Sequence, residues 1–244
     1  MKRRGRIYIG TSGWHYDHWR GLFYPGDMTA EGFLEYYAER FHTVEINNTF
    51  YRMPEKKTLT EWRDTTPRSF LFAVKGSRYI THMKKLKDAK KPLADFLGRI
   101  SVLDDKLGPI LFQLPPRWKA NVERLREFLD LLPGDRRFAF EFRDPGWFTQ
   151  EVYSALLEAG AAFCVYHLAG LISPMEITAG FVYIRLHGPA GVYQGRYSDA
   201  DLASWAERIA MWGNSGKDVY CYFDNDEAGY AAQDAARLRG MLAG

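Results

Sequence analysis

The sequence has few cysteines and no long hydrophobic run, and each shortage excludes a class of protein. Only Cys164 and Cys221 occur among 244 residues, which excludes a disulfide scaffold and is typical of a reduced, cytoplasmic protein. No stretch approaches the roughly 20 apolar residues that a membrane-spanning helix needs, so we expect no membrane partner. The basic residues 1–6 lead into residues 7–9 without a long apolar segment, which argues against a signal peptide.

An excess of charge of one sign is also missing. Lys and Arg number 33 and Asp and Glu number 30, which gives a formal net charge of +3 at pH 7. That value is too mild to indicate an extended nucleic-acid footprint. The 46% of hydrophobic and 16% of aromatic residues exclude a disordered chain. Composition therefore predicts a globular protein large enough to bury its own core.

Eight β-rich runs bounded by Gly, Pro and Asp follow one another at intervals of about 30 residues, the size of one βα unit. These predicted strands span residues 7–14, 43–51, 70–76, 109–114, 137–144, 163–167, 181–188 and 218–224. Helical apolar periodicity separates most of them. The predicted helices span residues 29–41, 121–132, 149–159, 198–212 and 227–242, with Thr149 and Ser198 as N-caps.

The alternation of strands and helices predicts one α/β domain over residues 1–244, a (β/α)8 TIM-like barrel. An open doubly wound sheet is the alternative fold. One interval is short, because the sixth and seventh strands start only about 18 residues apart and Gly170, Pro174 and Gly180 lie between them. We expect a loop or a single short turn there, so that the barrel has a degenerate or missing helix.

Residue parity along the strands predicts which side chains face the barrel interior. In the fifth strand, Phe138, Phe140 and Phe142 form one face and Ala139, Glu141 and Arg143 the other. The purely apolar face must cover the helices, so the polar face points inward. The inward residues at the carboxyl ends of the strands are Ser12, Glu45, Asn47, Lys75, Gln113, Glu141, Arg143, Arg185, His187 and Asp224. Barrel enzymes place their chemistry at that end, and these residues predict a polar pocket.

Several motifs, taken in order, resemble the YecE-like family of domains of unknown function. They are IGTSGWHY at 9–16, WRGLFYP at 19–25, EINNTFYR at 45–52, LFQLPP at 111–116, FEFR at 140–143, YIRLHG at 183–188 and YFDND at 222–226. The resemblance covers nearly the whole chain and implies a TIM-barrel-like fold, but it implies no activity. One departure is Asp224, where the family pattern leads us to expect Asn. It adds a carboxylate to the pocket.

Four interpretations of the pocket remain open from the sequence. Glu45, Glu141, His187 and Asp224 are ligands of the kind that a divalent metal takes. Alternatively, an anion or phosphate site uses Lys75, Arg143 and Arg185. A third interpretation is carbohydrate cleavage by the carboxylates Glu45 and Glu141, with sugar stacking on tryptophans. A fourth is a binding module for nucleic acid or a nucleotide-like ligand. The aromatic residues considered for these contacts are Trp14, Trp19, Tyr24, Tyr51, Trp118 and Trp147.

We predict an enzyme of the hydrolase or isomerase type that acts on a small phosphate- or sugar-bearing substrate. Acid–base or hydrolytic chemistry, with or without a divalent metal, would be carried by Glu141, His187, Glu45 and Asp224. The predicted substrate-binding residues are Ser12, Trp14, Asn47, Lys75, Gln113, Arg143, Trp147 and Arg185. The alternative function is the nucleic-acid-binding module. A purely structural alternative is a closed ion-pair network in which Glu45 pairs with Lys75.

Overall fold

The computed structural model describes residues 3–243, which form a barrel of parallel strands surrounded by helices. The strands are β1 (Ile7–Thr11), β2 (Thr43–Ile46), β3 (Leu71–Lys75), β4 (Leu107–Gln113), β5 (Phe138–Glu141), β6 (Ala162–Leu168), β7 (Leu171–Ile172), β8 (Phe181–Leu186) and β9 (Asp218–Phe223). All pair in parallel except β7, a two-residue strand that lies antiparallel to β6. The eight parallel strands of the described chain match the eight runs predicted from the sequence.

The sheet curls until its two edges meet. Hydrogen bonds join the strands in the order β1-β9-β8-β6-β5-β4-β3-β2. The two ends of this order, β1 and β2, are linked by a parallel bridge between Ser12 and Glu45, and the Gly13 N–H donates to the Glu45 carbonyl at 2.8 Å. The barrel is therefore nearly closed, which confirms the TIM-like prediction and excludes the open sheet.

Seven α-helices occur in residues 3–243. They are α1 (Phe33–Arg40), α2 (Lys56–Thr65), α3 (Lys90–Ile100), α4 (Val122–Leu129), α5 (Gln150–Glu158), α6 (Asp199–Asn214) and α7 (Tyr230–Ala243). No helix is described between β6 and β8, where the expected short link carries β7 instead. Within the described residues, none of these helices is long and apolar enough to cross a membrane.

Two helices and several strand ends differ from the sequence prediction. Helices α2 and α3 were not predicted; α2 buries only Leu59, which leaves little apolar periodicity to detect. Predicted strands 7–14 and 43–51 were too long. Strand β1 stops before Gly13, whose φ is +93°, and β2 stops before a 3-10 turn at Asn48–Phe50. In both cases the chain bends into the barrel mouth where an extended strand was expected.

Helix α6 begins with a capping box that its sequence predicts. The Ser198 hydroxyl oxygen accepts from the Asp201 N–H at 3.1 Å, and the Asp201 carboxylate accepts from the Ser198 N–H at 3.2 Å. We expect Ser198→Ala to lower the free energy of unfolding by about 1 kcal/mol, because an orphan helical N–H loses its acceptor. Urea denaturation measures this change, and a destabilisation below about 0.5 kcal/mol, the lower limit for caps, would contradict it.

The barrel separates two apolar layers, as the parity predicts. Inside lies a small cluster that includes Leu111, Ala139, Tyr183 and Tyr222, while a much larger cluster fills the space between strands and helices. Both cysteines are buried free thiols. Cys221 lies in the outer layer, whereas Cys164 lies inside the barrel, a position that the sequence did not assign. The polar layer begins directly above this inner cluster.

Candidate functional site at the carboxyl ends of the strands

Arg185 of β8 is the centre of the polar layer. Its guanidinium is fully buried and donates to three carboxylates: Glu45 at 2.7 Å, Glu141 at 3.0 Å and Asp224 at 3.0 Å. The same group donates to the Ser12 hydroxyl at 3.1 Å. Inward side chains at the carboxyl ends of β1, β2, β5 and β9 are thus held by one cation on β8, and the convergence predicted from parity is observed.

Glu45 and Glu141 are each bonded on more than one side. Glu45 accepts from Ser12 and, at 2.7 Å, from the Tyr183 hydroxyl. Glu141 accepts from Arg143, whose guanidinium also lies over the Tyr166 ring at 5.3 Å. Both carboxylates are completely buried. Their oxygens are committed to protein donors, so the predicted Glu45–Glu141 pair does not face an open cavity.

His187 connects Arg143 to Asp224. Arg143 donates to Nε2 at 2.9 Å, and Nδ1 lies 3.0 Å from an Asp224 carboxylate oxygen. Because a guanidinium can only donate, Nε2 accepts and the uncharged ring carries its proton on Nδ1, which donates to Asp224. The Glu141 carboxylate also lies 3.2 Å from Nε2. Contacts at both ring nitrogens therefore fix the orientation of His187.

The cations decide the charge state of the buried carboxylates. Burial alone would raise the pKa of Glu141, but Arg143 and Arg185 hold that pKa well below its usual value. Burial acts in the same way on Asp224, and Arg185 together with the His187 hydrogen bond keeps its pKa below the usual value. Asp224 and Glu141 are therefore ionised at neutral pH.

Arg185 also explains why the predicted metal ligands do not form a metal centre. Within residues 3–243, no group of three or more His, Cys, Asp or Glu side chains is arranged to hold a metal ion. Glu45, Glu141 and Asp224 do converge, but they converge on the guanidinium, which occupies the position that a cation would need. The expectation of a divalent metal bound by these three and His187 is not supported.

A cavity of about 390 Å³ opens above the network. It is lined by Asn47, Tyr51, Lys75, Val192, Tyr193, Gln194, Asp224, Asp226 and Glu227. Residues 188–197, after β8, fold across the mouth, and the half-exposed Tyr193 ring stands 5.5 Å from the His187 ring, edge to face. The Asn225 amide donates to the Gly195 carbonyl at 2.9 Å and anchors this loop to the end of β9. Asp224 belongs both to the buried network and to the cavity wall.

Asp226 is a cavity residue that the sequence did not single out. One of its oxygens accepts from the Trp19 indole N–H at 2.6 Å, and the other lies 3.0 Å from His18 Nε2. Burial and the negative charge of Asp224 raise the pKa of Asp226 to about 6, although the contacts with Trp19 and His18 lower it. Asp226 is part of the YFDND motif, but strand parity applies only as far as Asp224 and makes no prediction for the turn that follows.

Lys75 faces the cavity from the end of β3. Its ammonium lies 4.4 Å from the centre of the Phe50 ring, a cation–π contact. Burial and the charge of Arg185 lower the pKa of Lys75 to about 8. The suggested Glu45–Lys75 ion pair is wrong, because Glu45 is paired with Arg185 instead.

Three other predicted binding residues lie near the mouth. Ser12 is buried in the network, where it bonds to Glu45 and Arg185. Asn47 lines the cavity, and its side-chain Oδ1 is buried with no partner among residues 3–243. Gln113, at the end of β4, has an unpartnered buried Oε1 in the same described part of the chain. Such unsatisfied acceptors are costly in a folded protein and indicate a place for a ligand donor or water.

The tryptophans do not line the mouth as predicted. Trp147 is fully buried, stacks on Phe142 and donates its indole N–H to the Trp118 carbonyl at 2.5 Å. Trp14 packs edge to face on Trp62 in the outer layer, and Trp19 is completely buried. The loops after the strands fold back over the helices, so these rings are buried away from the mouth. The exposed aromatic rings that line the cavity are Tyr51 and Tyr193.

Comparison with known proteins gives matches over nearly the whole chain. The segment 8–244 matches the family described as "Protein of unknown function DUF72". The chain is 28% identical to the UPF0759 protein YunF of Bacillus subtilis over 97% of its length and 94% of YunF. It is 32% identical to the UPF0759 protein YecE of Escherichia coli K12 over 63% of its length. That second match spans about half of YecE, 54% of its length.

Solved structures share the fold. A DUF72 family protein from Thermotoga maritima superposes with a TM-score of 0.89 at 30% identity, covering 98% of this chain and 100% of that one. A DUF72 family protein from Enterococcus faecalis gives a TM-score of 0.81 at 20% identity, with 99% of each chain covered. The family match over residues 8–244 and the agreement in fold lead to one conclusion: the chain belongs to the DUF72 family.

Proposed function

We propose that this protein is an acid–base enzyme acting on a small sugar-bearing substrate in the cavity above Arg185. The observation that carries the proposal is the carboxylate pair Asp224 and Asp226, which line one cavity in opposite electrostatic environments. Arg185 and His187 keep Asp224 ionised, whereas burial keeps a proton on Asp226 up to about pH 6. Two titratable groups whose pKa values are pushed apart are the usual mark of an acid and a base acting together.

The assigned roles follow from these charge states. Asp226 donates a proton to a leaving or carbonyl oxygen, and Asp224 accepts one or stabilises positive charge that develops on the substrate. His187 is a positioning residue, because its Nδ1 proton fixes the Asp224 carboxylate from behind. Arg185 holds the same carboxylate from the side and balances its charge. Glu141 accepts from Arg143 and Arg185, lies beside the His187 ring and does not face the substrate.

A sugar fits the cavity wall better than a phosphate does. Three carboxylates, Asp224, Asp226 and Glu227, face the cavity against the single cation Lys75, so a phosphate group would be repelled on most sides. Hydroxyl groups, in contrast, donate well to the carboxylates that line the cavity. The exposed Tyr51 ring offers an apolar face of the kind on which sugar rings stack.

The test is turnover of two substrate panels: nitrophenyl glycosides for hydrolysis, and free aldoses and ketoses for isomerisation. We expect activity in one panel, with kcat/KM falling in alkaline solution because Asp226 must carry a proton. Asp226→Asn should lower kcat by about 100-fold or more and remove the alkaline limb, as expected for loss of a general acid.

Glu158→Gln is the matched control, because it also neutralises a carboxylate but lies at an exposed position at the end of α5. We expect it to leave the rate unchanged. The proposal fails if no member of either panel is turned over and none protects the folded protein against thermal unfolding. Salt-sensitive binding of single-stranded oligonucleotides without sugar turnover would instead favour the nucleic-acid-binding module.

A further inference from the structure

Lys75 is a buried amine that the ion-pair network leaves out. It is the last residue of β3, and its side chain reaches the cavity between Asn47 and Asp224. Among residues 3–243, no carboxylate lies within ion-pair distance of Lys75 Nζ, and no hydrogen bond from that atom is found. The nearby carboxylates are bonded to Arg185. The amine therefore faces the cavity with only the Phe50 ring as a defined partner.

A second buried lysine shows what a structural role looks like in this chain. Lys106, just before β4, is also largely buried, but its Nζ donates to the Thr66 carbonyl at 2.6 Å, to the Thr66 hydroxyl at 3.2 Å and to the Arg63 carbonyl. Its three N–H donors are satisfied, and it does not line the cavity that Lys75 faces. Both lysines are buried, but they differ in their access to the cavity and in their hydrogen-bond partners.

The surroundings of Lys75 favour a nucleophilic amine. Burial and the positive charge of Arg185 lower its pKa to about 8, so roughly a tenth of the side chain is uncharged at pH 7. A lysine that is desolvated and placed next to another cation is the arrangement that activates amines towards carbonyl groups. The proton donor such a step needs is present, since Asp226 lines the same cavity.

We propose that Lys75 forms a covalent iminium with the open-chain carbonyl form of a polyhydroxylated sugar bound in this cavity. The inference rests on the proposed function for the substrate class and adds the covalent intermediate. The Nζ lone pair attacks the carbonyl carbon, a C–N bond forms, and one amine proton passes to the oxygen, which gives a carbinolamine. Asp226 then protonates that hydroxyl, water leaves, and the nitrogen lone pair closes the C=N bond. Amine, carbonyl compound and one proton yield iminium and water, with no change of oxidation state.

The iminium explains the rest of the cavity wall. The positive nitrogen acidifies the C–H bond next to the former carbonyl, and the ionised Asp224 lies on the same cavity as a base for that proton. The arrangement fits proton transfer between neighbouring carbons of an open-chain sugar, or cleavage of the bond beyond. An amine with this task cannot be engaged in an ion pair, and Lys75 lies outside the ion-pair network.

The experiment is reductive trapping with glyceraldehyde and sodium cyanoborohydride, followed by peptide mapping. We expect a secondary amine on Lys75, formed at least about tenfold faster at pH 7.5 than on Lys57 and Lys91, because these exposed amines lack the burial and the neighbouring cation that lower the pKa of Lys75. Labelling of Lys75 should rise with pH through about 8. Lys106 is the internal control and should stay unmodified.

Lys75→Arg keeps the positive charge and removes the nucleophile, so we expect the labelled peptide and sugar turnover to disappear together. Labelling confined to exposed lysines in the wild-type protein overturns the iminium, and this result does not depend on whether the variant folds. Undiminished turnover by a folded Lys75→Arg protein also overturns it. In both cases turnover of the sugar panel by the wild type still decides the proposed acid–base function separately.

Discussion

Arg185→Met lowers the free energy of unfolding by about 3–5 kcal/mol at pH 7, the range measured when one partner of a buried ion pair is removed. Three carboxylates converge on this guanidinium, and two of them are completely buried. Without it, Glu45 has no cation to balance its burial, and Glu141 keeps only Arg143. Urea denaturation followed by circular dichroism measures the loss.

The defect should shrink as the pH falls. In the wild type, Glu141 and Asp224 have lowered pKa values, so their contribution is present above the unfolded pKa and is lost as the pH falls through the folded one. In the variant the unpaired carboxylates have raised pKa values and take up protons already in mild acid. The difference between the two proteins is therefore largest at neutral pH and narrows towards pH 4, near the unfolded carboxyl pKa.

Two further variants isolate the charge. Adding Glu45→Gln and Glu141→Gln to Arg185→Met removes the uncompensated charges, so part of the lost stability should return. Arg126→Met breaks the exposed pair with Glu158 and should cost less than about 1 kcal/mol. A single Arg185→Met variant within 1 kcal/mol of the wild type, or a triple variant less stable than the single one, contradicts the charge-balancing role of Arg185 in the polar layer.

The features that could be predicted from the sequence are those that repeat along the chain. Eight alternating strands and the N-caps Thr149 and Ser198 follow from local patterns, and both side chains accept the expected backbone N–H. Strand parity correctly placed Glu141 and Arg185 inside, because alternate residues of a barrel strand face the helices and the barrel interior. Helix α2 was not predicted because it buries a single side chain and therefore shows little apolar periodicity.

The partners inside the site could not be predicted from the sequence, because they depend on the stagger of the barrel. Parity puts Glu45, Lys75 and Arg185 on one face of the sheet without saying at which height. The register of β8 brings the guanidinium to Glu45 and leaves Lys75 at the cavity. The buried Trp147 and the cavity residue Asp226 lie in loops, where no periodicity applies. Of the residues in the functional proposals, strand parity therefore found Lys75 and Asp224 but could not find Asp226.

Asp226→Asn gives the second large effect, and we expect it to stabilise the protein. Folding raises the pKa of Asp226 to about 6, so the folded protein favours the protonated carboxyl. The free energy of unfolding therefore decreases as the pH rises through 6 and the carboxyl ionises. The amide cannot ionise and keeps one oxygen for the Trp19 indole. At pH 8 the variant should therefore be more stable by about 2 kcal/mol, and below pH 4 the difference should vanish.

Thermal unfolding at pH 8 and pH 4 measures both ends of this dependence, and about 2 kcal/mol corresponds to a rise of roughly 5 °C in Tm at pH 8 for a chain of this size. Glu158→Gln, which neutralises an exposed carboxylate, should move Tm by no more than about 1 °C at either pH. An Asp226→Asn protein that is less stable at pH 8 would falsify the raised pKa. A variant that gains stability while it loses turnover shows instead that the buried carboxyl is retained for chemistry, because a residue kept for the fold alone would not lower the stability of that fold.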